Sequence, residues 1–159
     1  VVLCDLIESH GMRIPPFSPD IQEKIENKFF MEGTSPKNPL DVAAQLFYSE
    51  SIIDIIDLAL SDKNIDALIM DLPCWYFHPD FYVLPDDKLE KNLIKAFNLG
   101  HVHGKPLIPI IQRANCPKHR ERISSLLHDK KIPVFGDPLE FLPLLPKITN
   151  YSRRLKDSC

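Results

Sequence analysis

The sequence predicts an α/β protein built on a doubly wound, mostly parallel sheet with helices on both faces, which makes three layers. Three short apolar runs, at 66–71, 106–112 and 132–136, are typical of strands that are buried on both faces. The segments between them carry apolar residues three and four positions apart, which is the spacing of an amphipathic helix. Strands that alternate with helices in this way predict parallel pairing and helices on both sides of the sheet.

A chain of 159 residues has the usual size of one domain. We assign residues 1–150 to that domain and the polar residues 151–159 to a tail or linker. The first predicted element is a helix, although the first strand of a doubly wound sheet is usually central. The first strand is therefore missing from the predicted order, and we expect the chain to be a fragment of a larger protein.

Three helices are predicted before the first strand, over 2–10, from Ser18 to about residue 29, and over 49–60. Gly11 supplies the left-handed residue that often follows a helix. Ser18 followed by Pro19 is typical of an N-cap and the first helical position. A loop rich in proline and glycine, GTSPKNPLDVAA at 33–44, lies between the second helix and the third.

Helices and strands alternate after residue 66. A helix over 86–100 is expected to end at Gly100, and another is expected to begin after a cap at Asn115 or Cys116. The last helix is predicted from a capping box, in which Asp137 is the N-cap and Glu140 is the third helical residue.

Composition excludes several classes of protein. The net charge is −3 with acids and bases intermixed, so we expect no nucleic-acid partner. The apolar runs are far shorter than a bilayer span, so we expect no membrane insertion. The four cysteines are widely and irregularly spaced, which predicts reduced thiols in a cytoplasmic protein rather than a disulfide framework or a zinc site: Cys4, Cys74, Cys116 and Cys159.

Five segments follow one another in an order that is similar to a known enzyme family. They are CDLIESHGMRIPPFSPDIQEKI (4–25), SPKNPLDV (35–42), LALSDKNIDALIM (58–70), HGKPLIPII (103–111) and KIPVFGDPLEFLPLL (131–145). Together they resemble the ADP-forming acyl-CoA synthetases (NDP-forming acetate–CoA ligases), which are relatives of succinyl-CoA synthetase. The resemblance points to the second ligase domain of these enzymes, which has a flavodoxin-like fold.

The resemblance implies a part in converting acyl-CoA, ADP and phosphate into free acid, ATP and CoA through a phosphohistidine on another domain. ATP or ADP, Mg²⁺ and CoA would serve the whole enzyme, and this segment would bind none of them and carry no catalytic residue. Its partners would be the CoA-binding, first ligase and ATP-grasp domains, and a homo-oligomer is left open.

Asn38 and Asp41 are candidate ligand or domain-interface residues, because the resemblance places them in the family's Asn-Pro-x-Asp loop. Open α/β sheets bind ligands at the carboxyl ends of their strands, where this loop is expected to lie. The alternative is purely local, since asparagine before proline is a common turn device.

Asp71 follows the first apolar run and is a further candidate. A strand-end aspartate followed by a proline-containing turn resembles the phosphate acceptor of a receiver domain, so a stand-alone receiver-like signalling or scaffold domain is the alternative function. Such a domain needs a lysine after a later strand, whereas this sequence has Gln112 and Arg113 there. Asp71 also fits a simple strand terminator.

A group of aromatic residues follows Asp71, and we expect it to pack against a neighbouring domain because aromatic side chains dominate binding hot spots. A lid over the end of the sheet is the alternative. The residues are Trp75, Tyr76, Phe77, Phe81 and Tyr82.

The histidines are not expected to be catalytic or to bind metal. His10 falls in the last turn of the first helix, where it suits the negative end of the helix dipole, so we do not identify it with the phosphohistidine. His101 and His103 are two positions apart without a neighbouring carboxylate or cysteine, which makes a poor metal site, and we expect a polar turn there.

Overall fold

Helices and strands alternate in the computed structural model, which describes residues 2–29, 32–43, 45, 49–73, 86–112 and 117–148. The elements are α1 (Val2–Ser9), α2 (Pro19–Glu26), α3 (Ser51–Ser61), β1 (Leu68–Asp71), α4 (Asp86–His103), β2 (Leu107–Ile110), α5 (Pro117–Asp129) and a 3₁₀ turn (Pro138–Glu140). A mixed α/β fold is therefore confirmed, with element boundaries close to those predicted for α1, α3, β1 and β2.

The sheet consists of β1 and β2, which pair in parallel with Leu68 opposite Leu107. The strand predicted at 132–136 is reduced to one parallel bridge between Phe135 and Ile110. The reason is local, because Pro133 has no N–H to donate and the N–H of Ile132 bonds back to Leu127 at the end of α5. The described sheet is thus smaller than the doubly wound sheet that the sequence predicts.

Apolar side chains cover both faces of this sheet. On one face, Leu107 and Ile111 pack with the inner residues of α3, α4 and α5. On the other face, Ile108 and Ile110 pack with Phe141, Leu142 and the half-buried stripe of α1, which consists of Leu3, Leu6 and Ile7. This alternation along β2 is what a strand with helices on both sides requires.

Two helices end in the same hydrogen-bonded motif. After α1, Gly11 has a φ of 77° and the N–H groups of Gly11 and Met12 bond to Glu8 and Ile7. After α4, Gly104 has a φ of 62° and closes the helix in the same way, with the N–H of Lys105 bonded to Gly100. Both patterns are Schellman motifs, which confirms the predicted role of Gly11.

The predicted end of α4 at Gly100 is wrong, because the helix continues to His103. Gly100 is needed for close packing instead. A Cβ at this position would lie 2.9 Å from the carbonyl oxygen of Lys105 and 3.2 Å from Leu107. The glycine therefore allows the helix to approach the chain that enters β2.

The two predicted caps have different outcomes. Ser18 occupies the N-cap position of α2, but its side chain makes no capping bond. Asp137 caps as predicted by accepting from the N–H of Leu139 at 2.8 Å, and Glu140 accepts from the N–H of Gly136. The element that follows is a 3₁₀ turn and then a helical turn at 145–148, rather than one continuous helix.

Candidate functional site at the carboxyl edge of the sheet

Asp71 and Gln112 meet at the carboxyl edge of the sheet. Asp71 is the last residue of β1, and Gln112 lies two positions after β2. The Gln112 amide nitrogen lies 3.2 Å from Oδ1 and 3.1 Å from Oδ2 of Asp71, so it donates to both carboxylate oxygens. Parallel pairing brings these two groups together because it places both strand ends at the same edge.

The carboxylate of Asp71 is chemically perturbed. Although the residue as a whole is exposed, neighbouring protein atoms partly desolvate the carboxylate and raise the pKa of Asp71 above its ordinary value. The hydrogen bond from Gln112 acts in the opposite direction, and it is the weaker influence. A carboxylate with a raised pKa takes up a proton more readily than an ordinary surface aspartate.

Arg120 adds a positive charge near the same edge. Its Nε donates to the carbonyl oxygen of Ile111 at 3.1 Å, so α5 is tied to the chain immediately before Gln112. The side chain is half-buried, which restricts where the guanidinium can lie. An amide donor and a guanidinium at the ends of parallel strands are suited to an anionic or carbonyl-bearing ligand.

The loop that contains Asn38 and Asp41 is held in shape by the chain itself. Ser35 and Asp41 form an antiparallel bridge, with N···O distances of 2.8 and 3.1 Å. The Asn38 side chain donates to the carbonyl oxygen of Pro15 at 2.8 Å, and the peptide bond between Asn38 and Pro39 is cis. Asp41 accepts from the N–H of Ala43 at 2.8 Å.

The Asp41 side chain therefore makes a local turn bond, whereas the Asn38 side chain bonds to a residue 23 positions away, which a purely local turn does not explain. Among the hydrogen bonds within the described ranges, none joins Asp71 to Asn38 or Asp41. The structure brings Asn38 and Asp41 together in one closed loop and pairs Asp71 with Gln112. No hydrogen bond among those of the described residues links these two sets of candidates.

The five aromatic candidates, Trp75, Tyr76, Phe77, Phe81 and Tyr82, lie outside the described residues. The predicted caps Asn115 and Cys116 also lie outside them, although α5 begins at Pro117, close to the predicted start. The interface interpretation of the aromatic residues stays a prediction.

His10 and His103 have hydrogen-bonding partners within the described part of the chain. The ring of His10 lies 2.8 Å from the carbonyl oxygen of Leu6 in the last turn of α1, which agrees with a helix-end role. His101 and His103 lie in the last turn of α4, so the polar turn predicted for them is wrong. His103 Nε2 lies 2.6 Å from Oδ1 of Asp57 on α3. Within the described ranges, no three histidine, cysteine or acidic residues are grouped as a metal site would need.

Sequence reasoning missed a buried polar junction around Asp62. This residue is 1% exposed, and its Oδ2 accepts from the N–H of Ser18 at 2.6 Å and from the Ser18 hydroxyl at 2.7 Å. Its Oδ1 accepts from the N–H of Asn64 at 2.8 Å. The Lys105 amine donates to the carbonyl oxygens of Leu60 and Asp62 at 2.6 and 2.7 Å. The junction therefore joins the start of α2, the end of α3 and the entry to β2.

The opposite, amino edge of the sheet has an open groove of about 450 Å³. Its floor includes Phe97, Leu107 and Ile132, which are buried, and its rim includes His101 and Lys131. Lys105 also lines the groove, but its amine is already bonded to the end of α3. Asn38, Asp41 and Asp71 are not among the residues that line the groove.

No helix in the described part of the chain has both the length and the apolar character needed to cross a bilayer.

Comparisons with known proteins bear on the fold. No protein-family model matches the chain, and no curated protein matches it. Among solved structures, the chain is similar to PH0766 from Pyrococcus horikoshii OT3, with a TM-score of 0.66 and 23% sequence identity. The match covers 86% of this chain and 30% of that chain. The chain therefore shares its fold with less than a third of PH0766, which is a much longer protein.

Proposed function

We propose that this chain is a module of an ADP-forming acyl-CoA synthetase, corresponding to its second ligase domain with a flavodoxin-like sheet. The whole enzyme would convert acyl-CoA, ADP and phosphate into free acid, ATP and CoA in the cytoplasm. This module would help to form the interface around a phosphohistidine carried by another domain, and it would supply no catalytic residue of its own.

The observation that carries the proposal is the ordered set of family-like segments on one α/β unit. SPKNPLDV contributes the closed loop around the Ser35–Asp41 bridge. LALSDKNIDALIM contains the end of α3, Asp62 and most of β1. HGKPLIPII contains the end of α4 and all of β2. These three segments thus fall on defined elements of the fold.

The similarity to PH0766 supports the size of the module. The described fold corresponds to 30% of that chain, as expected for one domain of a multidomain protein. CoA-binding, first ligase and ATP-grasp domains would be the partners, and they would bring ATP or ADP, Mg²⁺ and CoA. These parts of the proposal rest on the sequence resemblance.

The electrostatics of the carboxyl edge suggest how the module would act. Gln112 and Arg120 offer donors that suit a phosphoryl group, whereas the charged form of Asp71 would repel one. Desolvation raises the pKa of Asp71, so its charged form is less favoured here than at an ordinary surface aspartate. The closed loop at 35–41 would contact the neighbouring domain through its folded backbone, because its polar side chains are already hydrogen-bonded within this chain.

Phosphoryl labelling of the full-length protein tests the proposal. The protein would be incubated with γ-³²P-labelled ATP and Mg²⁺, and then with CoA and a panel of short carboxylic acids. We expect a label that is lost in acid, kept in base and discharged by ADP. Arg120→Met removes a positive charge from the proposed interface and should slow the labelling about tenfold by weakening that interface, whereas Lys118→Met, on the same helix, should not.

The same measurement separates the receiver-like alternative. A label that is lost in base, and that Asp71→Asn abolishes, would be an aspartyl phosphate and would replace the ligase proposal. Absence of any label, together with absence of acyl-CoA-dependent ATP formation across the panel, would reject the ligase proposal as well.

A further inference from the structure

Helix α5 ends in the same hydrogen-bonded motif as α1 and α4, but with a lysine at the position that is glycine in the other two. The N–H of Lys131 bonds to the carbonyl oxygen of His128 at 2.8 Å, and the next N–H bonds back to Leu127 at 2.9 Å. This pattern holds Lys131 at a φ of 61°. Gly11 and Gly104 occupy the equivalent positions after the other helices. A residue with a Cβ is strained at such a φ, whereas glycine is not.

The helix dipole does not account for this lysine. A cation near the last turn of a helix suits the negative end of the dipole. Lys130 is exposed, lies one position earlier and supplies that charge without a positive φ. A strained residue that the helix itself does not require indicates a separate role for its side chain.

Lys131 lies on the rim of the open groove at the amino edge of the sheet, which we call the amino-edge groove. His101, in the last turn of α4, lies on the same rim, and both residues are exposed. Neither side chain has a hydrogen-bonding or ionic partner among the described residues. The lining includes Lys105, whose amine is bonded to the end of α3, but no aspartate or glutamate. The available charge in the groove is therefore positive.

The rest of the amino-edge groove is apolar. Buried side chains of Phe97, Leu107 and Ile132 form part of its floor, and Pro106 and Pro133 are exposed in its lining. The two prolines have no N–H, so the main chain offers no donor at either position. A volume of about 450 Å³ is in the range of small-molecule sites, which combine an apolar lining with a few polar groups.

We propose that the amino-edge groove binds a small amphipathic anion. Its carboxylate or phosphate group contacts the amine of Lys131 and the ring of His101, and its apolar body lies on the floor around Leu107 and Ile132. The inference goes beyond the proposed function, because this groove and the Asp71–Gln112 pair lie at opposite edges of the sheet. The strain at Lys131 is then the cost of placing an amine where the anion sits.

A fluorescence titration of the full-length protein tests the proposal. The probe is anilinonaphthalene sulfonate, an aromatic anion that becomes fluorescent when its rings leave water. Phenylbutyrate, phenyl phosphate and the neutral phenylbutanol are then added as competitors. We expect at least one of the two anions to displace the probe at a concentration about tenfold or more below that of the alcohol, because a charge-assisted hydrogen bond is lost with the alcohol.

The competitors also define the ligand. The anion that competes at the lower concentration identifies the group, carboxylate or phosphate, that the rim prefers. Displacement by the alcohol at the same concentration as by the anions overturns the proposal, and so does failure of both anions to displace the probe.

Substitutions at Lys131 separate a ligand role from a structural one. Lys131→Gln removes the charge but keeps a side chain at the strained position, and we expect it to weaken probe binding about tenfold. Lys130→Gln is the matched control, because it removes the neighbouring charge outside the groove lining, and it should bind the probe as the wild type does. Equal binding by these two variants overturns the proposal.

Lys131→Gly provides a second readout. Glycine relieves the strain, so this variant should melt no lower than the wild type, although it should bind the probe as weakly as Lys131→Gln does. A lower melting temperature overturns the proposal, because the lysine would then serve the fold, and wild-type binding overturns it as well. These measurements do not depend on phosphoryl labelling, so failure of the ligase proposal would leave them intact.

Discussion

Asp62 and Asp71 lie within ten positions of each other, at the two ends of the segment that leads into and forms β1, yet their environments are opposite. Asp62 is buried, and its two carboxylate oxygens accept three hydrogen bonds from Ser18 and Asn64. Asp71 is exposed at the carboxyl edge and has the amide of Gln112 as its partner among the described residues. One carboxylate holds elements together, and the other is available to a ligand or a neighbouring domain.

The directions of the two pKa shifts express the same contrast. Burial alone would raise the pKa of Asp62, but the hydrogen bonds from Asn64 and Ser18 and the charge of Lys105 outweigh it, so the pKa lies below its ordinary value. At Asp71, desolvation outweighs the single amide donor and the pKa lies above its ordinary value. The number of donors, rather than burial, therefore decides which aspartate stabilises the fold in its charged form.

Removal of the Asp62 carboxylate is the strongest test of its structural role, because it should have the largest effect on stability. Asp62→Ala leaves the N–H groups of Ser18 and Asn64 without their acceptor in a buried junction, and we expect a loss of about 3 kcal/mol in the free energy of unfolding. Urea denaturation followed by circular dichroism measures it. Asp66→Ala is the control, because Asp66 is exposed and four residues away, and it should change stability by less than about 0.5 kcal/mol. Equal effects from the two variants would refute the structural role of Asp62.

Sequence reasoning identified Asp71 but missed Asp62. The reason is that a donor to Asp62 lies far from it along the chain. Asp71 follows an apolar run directly, so its position at a strand end can be predicted locally. The Ser18 donor to Asp62 is 44 positions away, and Ser18 itself looks like an ordinary N-cap. Local patterns also predicted the Schellman glycine Gly11, whereas Gly100 owes its place to a contact with Lys105 that a helix-end rule does not describe.

Substitution of Lys105 tests whether the junction depends on this positive charge near Asp62. Its half-buried amine donates to the carbonyl oxygens of Leu60 and Asp62, which lie at the end of α3. Lys105→Met keeps most of the side-chain volume but removes both bonds, so we expect the free energy of unfolding to fall by about 2 kcal/mol. Lys63→Met, at an exposed neighbouring position, should be close to neutral. Comparable stability of the two variants would show that water replaces the amine without cost.

Acid titration sharpens the contrast between the two carboxylates. Because the folded-state pKa of Asp62 is lowered, its stabilising contribution is complete above the unfolded-state pKa of roughly 3.9 and is lost as the pH falls through the lower folded-state pKa. Wild-type protein should therefore lose stability below about pH 4 more steeply than Asp62→Asn. Parallel pH profiles of the two proteins would contradict the lowered pKa.

The candidate site itself was only partly predictable. Parallel alternation of strands and helices predicts that Asp71 and a residue after the next strand share one edge, and Gln112 confirms this geometry. The bonds of Asn38 to Pro15 and of Asp41 to Ala43 could not be separated from a ligand role by residue type, because both roles need the same polar side chains. Arg120 was missed because its contact with Ile111 depends on how α5 packs beside β2.

Asp71→Asn should have the smallest effect on stability and should move it in the opposite direction. The folded-state pKa of Asp71 is raised, so the charged form opposes folding at neutral pH and this penalty fades as the pH falls through the folded-state pKa toward the unfolded-state value. Asparagine can still accept from Gln112, so we expect no loss, or a gain of up to about 0.5 kcal/mol at pH 7, and a smaller difference near pH 4. Thermal melts of both proteins across this range measure it, and Gln112→Ala reports how much the amide bond contributes. A destabilisation above about 1 kcal/mol would place Asp71 with Asp62 as a structural carboxylate, because surface substitutions rarely cost so much.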